Sequence, residues 1–145
     1  MTHFTSSPLE TEAVGAALAR RLDEGGIKRA FIAMRGEMGV GKTAFTRGFA
    51  SHFGISGVKS HTYTIVNEYR GKVRIFHFDM YRITDGDDLY SIGYDDYIEA
   101  EGYSIAEWSE NIESDIPSDA IFVTISRTDE AEGRRIDIEY ENISI

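Results

Sequence analysis

The sequence predicts a single α/β domain with a mixed parallel/antiparallel sheet flanked by helices. Three observations carry that expectation. An apolar strand candidate, a glycine-rich turn and an amphipathic helix follow one another within residues 29–53. Two further pairs of strand candidates lie back to back, as hairpins do. No repeat, linker or low-complexity block divides the 145 residues, a length that suits one domain.

The elements follow in order. Ser7-Pro8-Leu9-Glu10 has the form of a capping box with proline at the first helical position. Leu9, Ala13, Ala17, Leu18 and Leu22 recur at helical spacing, which predicts an amphipathic helix over residues 8–24, ended by Gly25-Gly26. Residues 29–34 (RAFIAM) are nearly continuous in apolar character, as in a strand buried on both faces. After the glycine-rich stretch, Phe45, Phe49 and Phe53 lie on one helical face before Gly54. Residues 62–69 and 72–79 read as strands flanking a tight turn at Arg70-Gly71. Residues 85–100 are acidic and aromatic and suggest short surface helices, and residues 103–108 (YSIAEW) form another strand candidate. Residues 120–127 and 134–140 predict a second hairpin whose last strand alternates Ile136, Ile138 and Tyr140 with charged residues, so one face is wet. Parallel pairing is expected near the glycine stretch and antiparallel pairing toward the end. Pro8 and Pro117 are both expected at element starts.

Composition narrows the function classes. Acidic residues outnumber basic ones 25 to 15, for a formal charge of -10, and such a chain does not suit independent binding of nucleic acid. Neither a membrane-spanning run nor a signal peptide is readable. The chain has no cysteine, which fits a reducing compartment, and a cytoplasmic location is expected. The four histidines, His3, His52, His61 and His77, show no zinc-ligand spacing.

Residues 36–43 (GEMGVGKT) match G-x-x-x-x-G-K-[ST] at every fixed position. Each constraint has a physical reason. The glycines let the backbone turn where a Cβ would forbid it and let phosphate oxygens approach the amides. The helix that follows adds its positive end. Lys42 can reach β- and γ-phosphates, and the Thr43 hydroxyl can ligate Mg²⁺. The bland alternative, a glycine turn with a chance lysine, is disfavoured by the strand before and the helix after. The loop as a whole, with Glu37, Met38, Gly39, Val40, Gly41 and Ala44, is expected to wrap a nucleotide.

Hydrolysis also needs acids. Asp79 ends a core-strand pattern in the manner of a Walker B acid, or alternatively caps a turn. Glu107 lies at a strand end beside Trp108, the single tryptophan, and is expected to be partly desolvated. It can bind metal or orient water, or be a surface strand residue with Trp108 as core. Residues 60–64 (SHTYT) can act as a γ-phosphate switch or simply begin a strand. The acidic stretch at residues 85–96 is a solvated face or a docking surface for a basic partner. Two other functions share the loop: a small-molecule kinase, which needs an arginine-bearing lid that is not apparent here, and a nucleotide-gated binding module without useful turnover.

Taken together, these motifs resemble the small bacterial ATPase family TsaE, also called YjeE, of the tRNA threonylcarbamoyladenosine pathway. The likeness covers nearly the whole chain. The family's G-[DE]-x-G-x-G-K-T is met at residues 36–43, and its S-P-T-Y-T at residues 60–64 with His61 in place of proline. Its H-F-D-x-Y-R is met at residues 77–82, its E-x-x-x-[IMG]-G is approximated at residues 88–93, and its E-W pair is Glu107-Trp108. Thr11 and the pair Gly133-Arg134 also match, while Ala44 stands where the family often has a second threonine. The resemblance implies a single P-loop NTPase-like domain that binds ATP and Mg²⁺. It implies TsaB and TsaD as partners, with tRNA reached through them and neither DNA nor membrane contacted. It puts Thr11 and Arg134 with the loop residues around the nucleotide, and Lys42, Asp79 and Glu107 in catalysis. Thr43, Glu107 and Asp79 would surround the metal, with the order of the two acids left open. Ser60, Thr62, Tyr63, Thr64 and Trp108 would form the switch and partner surface. Slow hydrolysis by the isolated domain is expected, with Arg82 in cis or a partner's arginine as the missing charge.

Overall fold

The computed structural model describes residues 1–59, 65–83 and 86–145. Strand β1 (Thr2–Thr5) leads into helix α1 (Pro8–Glu24), then β2 (Arg29–Arg35), α2 (Lys42–His52), β3 (Val66–Arg70) and β4 (Arg74–Asp79). Short helices α3 (Gly86–Ser91) and α4 (Tyr94–Glu99) follow, then β5 (Gly102–Glu107), a 3-10 segment (Ser109–Asp115), β6 (Ile121–Arg127) and β7 (Arg134–Glu139). The strands form one sheet in the order β1-β7-β6-β2-β5-β4-β3. Pairing is parallel across β6, β2, β5 and β4, and antiparallel at β6–β7, β1–β7 and β3–β4.

Helix α1 begins as its capping residues dictate. Ser7 is extended and its hydroxyl accepts the Glu10 amide at 3.2 Å. Glu10 reaches back to the amide of Ser6, at 3.2 Å, one residue earlier than a reciprocal capping box requires. The buried stripe differs from the expected one. It runs through Thr11, Gly15, Leu18, Ala19 and Leu22, whereas Ala13 and Ala17 are exposed and Leu9 is 75% exposed. The cause is backbone contact between two helices. A Cβ on Gly15 would lie 2.1 Å from the Phe45 carbonyl oxygen, and one on Gly48 would lie 1.8 Å from that of Glu12. Small residues, rather than the largest apolar ones, therefore decide which face of α1 meets α2.

Strand β2 is buried on both faces, and its alternation divides the interior. Ala30, Ile32 and Met34 join Leu18, Leu22, Phe45, Phe49 and Phe53 beneath α1 and α2. Phe31 and Ala33 join Phe76, Phe78, Leu89, Tyr94 and Ile112 on the opposite side, under α3, α4 and the 3-10 segment. The same period of two sets the direction of the later strands. Ile75, Tyr103 and Ile105 belong to the α1–α2 side, so His77 and Asp79 on β4 and Glu107 on β5 share that face.

Other departures are local. The β3–β4 turn contains three residues, since Arg70 pairs with Arg74 and the Gly71 amide bonds the Val73 carbonyl at 3.0 Å. Pro117 lies in a turn closed by the Ala120 amide, not at an element start. Strand β1 is too short to show alternation and is recruited by β7. The first part of the strand expected at residues 62–69 lies outside the described residues. Among the described residues no helix is long and apolar enough to cross a membrane.

Two outcomes follow from this packing. Gly48→Ala should lose about 3 kcal/mol of stability, because two backbones must separate to admit a methyl group; urea denaturation measures it. Burial raises the Tyr94 phenol above its ordinary value, with Asp115 and Asp95 adding to the effect, and its hydroxyl donates to the Asp115 carbonyl at 2.8 Å. The folded state thus favours the neutral phenol. Its contribution is complete below the ordinary value of 10.0 and is lost as pH rises toward the higher folded one. Tyr94→Phe should accordingly flatten the alkaline limb of a plot of Tm against pH.

Candidate nucleotide site

The loop leaves the carboxyl end of β2, a strand with parallel neighbours on both sides. Gly36, Gly39 and Gly41 have φ of 145°, 75° and 118°, values that L side chains rarely adopt. At Gly36 space is limiting as well, since a Cβ would lie 2.5 Å from the Ile125 carbonyl oxygen. Val40 is buried and anchors the loop to the α1–α2 core, while Glu37, Met38 and Gly39 are exposed.

Helix α2 then places Lys42 and Thr43 in its first turn. Lys42 is 4% exposed. Its Nζ donates to the Gly36 carbonyl at 2.7 Å and lies 4.2 Å from the centre of the Trp108 ring. Burial pulls its pKa below the ordinary lysine value, and the carboxylates of Glu107, Glu110 and Asp79 act against that. Trp108 is the one non-glycine residue of positive φ among the described residues, at 59°, and this turn at the end of β5 folds its ring over the lysine. Tyr81 packs against the same indole, with ring centres 5.1 Å apart.

Asp79 and Glu107 end neighbouring parallel strands and are paired in register. Asp79 Oδ1 accepts the Tyr81 amide at 3.0 Å, so the turn-capping alternative for this residue is realised alongside its position at the strand end. Glu107 is partly desolvated, with 12% of its side chain exposed, and its Oε2 lies 2.5 Å from His77 Nε2.

The second side of the loop is made by α1 and the β6–β7 hairpin. Thr11 is buried, with its hydroxyl 2.9 Å from that of Thr5. Arg134 donates to the Val40 carbonyl at 2.8 Å and Arg127 to Glu37 at 3.0 Å. A cavity of about 210 Å³ opens here, with Thr11, Gly39, Val40, Gly41, Ala44 and Arg134 in its wall. A larger one, of about 630 Å³, lies at the opposite pole among the amino ends of β4 and β5. Its His52 and Arg74 are engaged by Asp23 and Glu68 at 2.9 Å and 3.1 Å. The smaller cavity is the one bordered by the glycine loop and Arg134.

The structure thus gathers Lys42, Asp79, Glu107 and Trp108 on one side of the loop and Thr11, Ala44 and Arg134 on the other, with Thr43 next to Lys42 in the first turn of α2. Ser60, Thr62, Tyr63 and Thr64, with His61, lie outside the described residues. Arg82 is exposed just beyond β4. Two neighbours escaped the residue-by-residue reading. His77 shares the parity of Asp79, which their spacing along one strand already implies, whereas Arg127 is the register partner of Arg134 across β6 and β7, a signal that is visible only once pairing is known. The donor set fits a triphosphate with a hard divalent cation: a glycine cradle, an ammonium inside it, a hydroxyl and two carboxylates. Among the described residues no three His, Cys, Asp or Glu side chains form a metal centre by themselves, so phosphate oxygens would have to complete the shell.

A phosphate-type loop between a central strand and its helix, in a mixed sheet covered on both faces, defines a P-loop NTPase-like α/β protein. The profile of the family described as "Threonylcarbamoyl adenosine biosynthesis protein TsaE" matches residues 5–136, and the chain belongs to that family. The tRNA threonylcarbamoyladenosine biosynthesis protein TsaE of Bacillus subtilis is 34% identical over 130 residues, covering 88% of this chain and 78% of that one. The protein of the same description from Haemophilus influenzae is 40% identical over 107 residues, covering 72% and 67%. That from Treponema pallidum is 32% identical over 136 residues, covering 93% and 96%. The crystal structure of Bacillus subtilis YdiB superposes with a TM-score of 0.74 at 27% identity, over 98% of this chain and 86% of that one.

The position of Lys42 has a measurable consequence in the free protein. Lys42→Met should shift the intrinsic emission of Trp108, because the ammonium over the indole is removed. It should change stability by no more than about 1 kcal/mol, since the lost cation–π and carbonyl contacts are offset by relief of a buried charge. Fluorescence and thermal melting check both.

Proposed function

We propose that the chain is the ATP-binding and ATP-hydrolysing component of the tRNA threonylcarbamoyladenosine machinery, acting in the cytoplasm on a TsaB–TsaD complex to support its turnover. Membership of the TsaE family supports the pathway. The observation that carries the nucleotide chemistry is the buried Lys42 ammonium inside a positive-φ glycine loop, facing two register-paired carboxylates.

Each residue then has a role. The amides of residues 37–44 wrap the phosphates, and the first turn of α2 adds its partial positive charge. Lys42 exchanges the Gly36 carbonyl for β- and γ-phosphate oxygens. That move lifts its ammonium from Trp108 and passes occupancy of the loop to the indole and to Tyr81. Thr11 and Arg134 border the nucleoside side, in the 210 Å³ cavity. Thr43, Glu107 and Asp79 would hold Mg²⁺, which when bound offsets charge on the phosphates and the leaving group. Asp79, already committed through Oδ1 to the Tyr81 amide, is the acid better held for orienting water, and Glu107 the better held for metal. Ser60, Thr62, Tyr63 and Thr64 form the segment that reads the γ-phosphate and, with Trp108, meets the partner. The formal charge of -10 leaves tRNA contact to TsaB and TsaD, with no DNA or membrane role.

Calorimetry and turnover assays test this reading. Lys42→Ala should abolish ATP binding, and binding equal to the parent would remove the loop assignment. Glu107→Ala should retain measurable nucleotide binding while Mg²⁺-dependent hydrolysis falls by about 100-fold, the scale of loss seen when a positioned electrostatic group is removed. Co-purification with TsaB and TsaD should depend on ATP.

A further inference from the structure

We infer that Arg127 is a positioning residue for the glycine loop: with Arg134 it holds the Met38 and Val40 carbonyls on the hairpin side and so turns the Gly39 and Gly41 amides the other way, toward the phosphate site. The inference deepens the nucleotide reading above and rests on it for the effect on binding, although the brace itself belongs to the free protein.

Three observations support it. Arg127 and Arg134 are register partners across β6 and β7, and like charges directly opposite in an antiparallel pair are destabilising. Their parity is that of Ile125 and Ile136, which lie on the α1–α2 side, so both guanidinium groups share the face that carries the loop. Two cations at this place call for acceptors, and loop carbonyls supply them. Arg134 Nε donates to the Val40 carbonyl at 2.8 Å, while its NH1 is fixed by the Gly133 and Ala131 carbonyls at 2.7 Å and 3.2 Å. Arg127 reaches the loop two residues earlier, with NH2 at 3.4 Å from the Met38 carbonyl and NH1 donating to Glu37 at 3.0 Å. Finally, the Ile125 carbonyl on the same strand leaves no room for a Cβ at Gly36, so β6 meets the start of the loop as well as its middle.

Peptide geometry converts these carbonyl contacts into amide directions. In a planar trans peptide the carbonyl of one residue and the N–H of the next point opposite ways, and no cis bond occurs among the described residues. A Met38 carbonyl held toward Arg127 therefore sends the Gly39 N–H away from the hairpin. A Val40 carbonyl held toward Arg134 does the same for the Gly41 N–H. Lys42, with Asp79 and Glu107 near it, stands on that other side of the loop. Both glycines have positive φ, and glycine adopts other backbone conformations at little cost, so contacts from outside the loop must select this one. The Arg127–Glu37 ion pair is not what stabilises it. Its side chains are 47% and 84% exposed, and exposed pairs contribute little. The pair serves instead to keep the guanidinium over the Met38 carbonyl.

The test uses the full chain. NMR relaxation of backbone nitrogen in the ligand-free parent should give Gly39 and Gly41 order parameters of about 0.85, and Arg127→Leu should lower that of Gly39 below about 0.6. An unchanged value in Arg127→Leu overturns the brace whatever the nucleotide does. Arg127→Leu should also raise the KM for ATP, and the calorimetric Kd of ATP and of inorganic triphosphate, about tenfold, because the loop is then ordered only on binding. Turnover at saturating ATP should stay within about twofold, since bound phosphate organises the loop itself. Parental affinity in Arg127→Leu refutes the positioning role. Arg127→Lys keeps the charge and loses the planar fork, so its affinity and its Gly39 order parameter should remain near those of Arg127→Leu. Parental values in Arg127→Lys reduce the arginine to a charge and refute the brace, and this comparison stands alone if Arg127→Leu does not fold. Adding Glu37→Gln to Arg127→Leu should leave the loss in place; full recovery means that Arg127 only offsets the Glu37 carboxylate, and refutes the brace equally. Failure of the parent to bind ATP and triphosphate would overturn the nucleotide reading instead, and the Gly39 order parameter would still decide the brace.

Discussion

A lysine ammonium held almost entirely inside the protein is the constraint on which the rest of the site depends. A buried cation is costly unless something nearby answers its charge. Lys42 has a backbone carbonyl, an aromatic face and three carboxylates at longer range. None of these is a dedicated counter-ion in direct contact, and the arrangement suits a charge that is to be claimed by an incoming anion. The left-handed turn at Trp108 follows from the same requirement. A tryptophan held at positive φ is strained by roughly 1–3 kcal/mol, and it puts the ring where the ammonium can rest.

The scaffold keeps that charge in place by leaving little slack beneath it. Helix α2 is pressed so closely on α1 that Gly15 and Gly48 meet opposing backbone, and Phe45 and Phe49, with Phe53 just past its end, fill the layer between helix and sheet. The first turn of α2, which carries Lys42 and Thr43, is therefore set by the packing of the whole helix. Parallel pairing of β2, β4 and β5 brings three strand ends to the same edge. The loop, Asp79 and Glu107 converge because of sheet topology, although thirty-five residues lie between the loop (residues 36–43) and Asp79 and a further twenty-seven between Asp79 and Glu107.

Features with a strong local cause were legible in advance. The strand–loop–helix unit, the β6–β7 hairpin and the short acidic helices all lie where residue pattern put them, give or take an end residue. The misreadings share another origin. Leu9, Ala13 and Ala17 have the right spacing for a core stripe, yet the true stripe goes through Thr11 and Gly15 because close helix contact favours the absence of side chain over its hydrophobicity. Strand β1 exists because β7 offers it an edge, and four residues cannot announce that by themselves. The third residue of the β3–β4 turn is set by the register between Arg70 and Arg74.

By itself the sequence determined the loop and its backbone geometry. Glycines that must turn with positive φ, and a lysine and a threonine at the start of a helix, are demands of local backbone geometry, and local demands are written in consecutive residues. Only the tertiary structure decided what stands opposite. That Glu107 leans on His77, that Trp108 covers Lys42, and that Arg127 and Arg134 brace the loop all depend on strand order, register and the parity of side chains across a sheet. Those are relations between distant segments, fixed when apolar faces are buried together, and no single stretch of chain contains them.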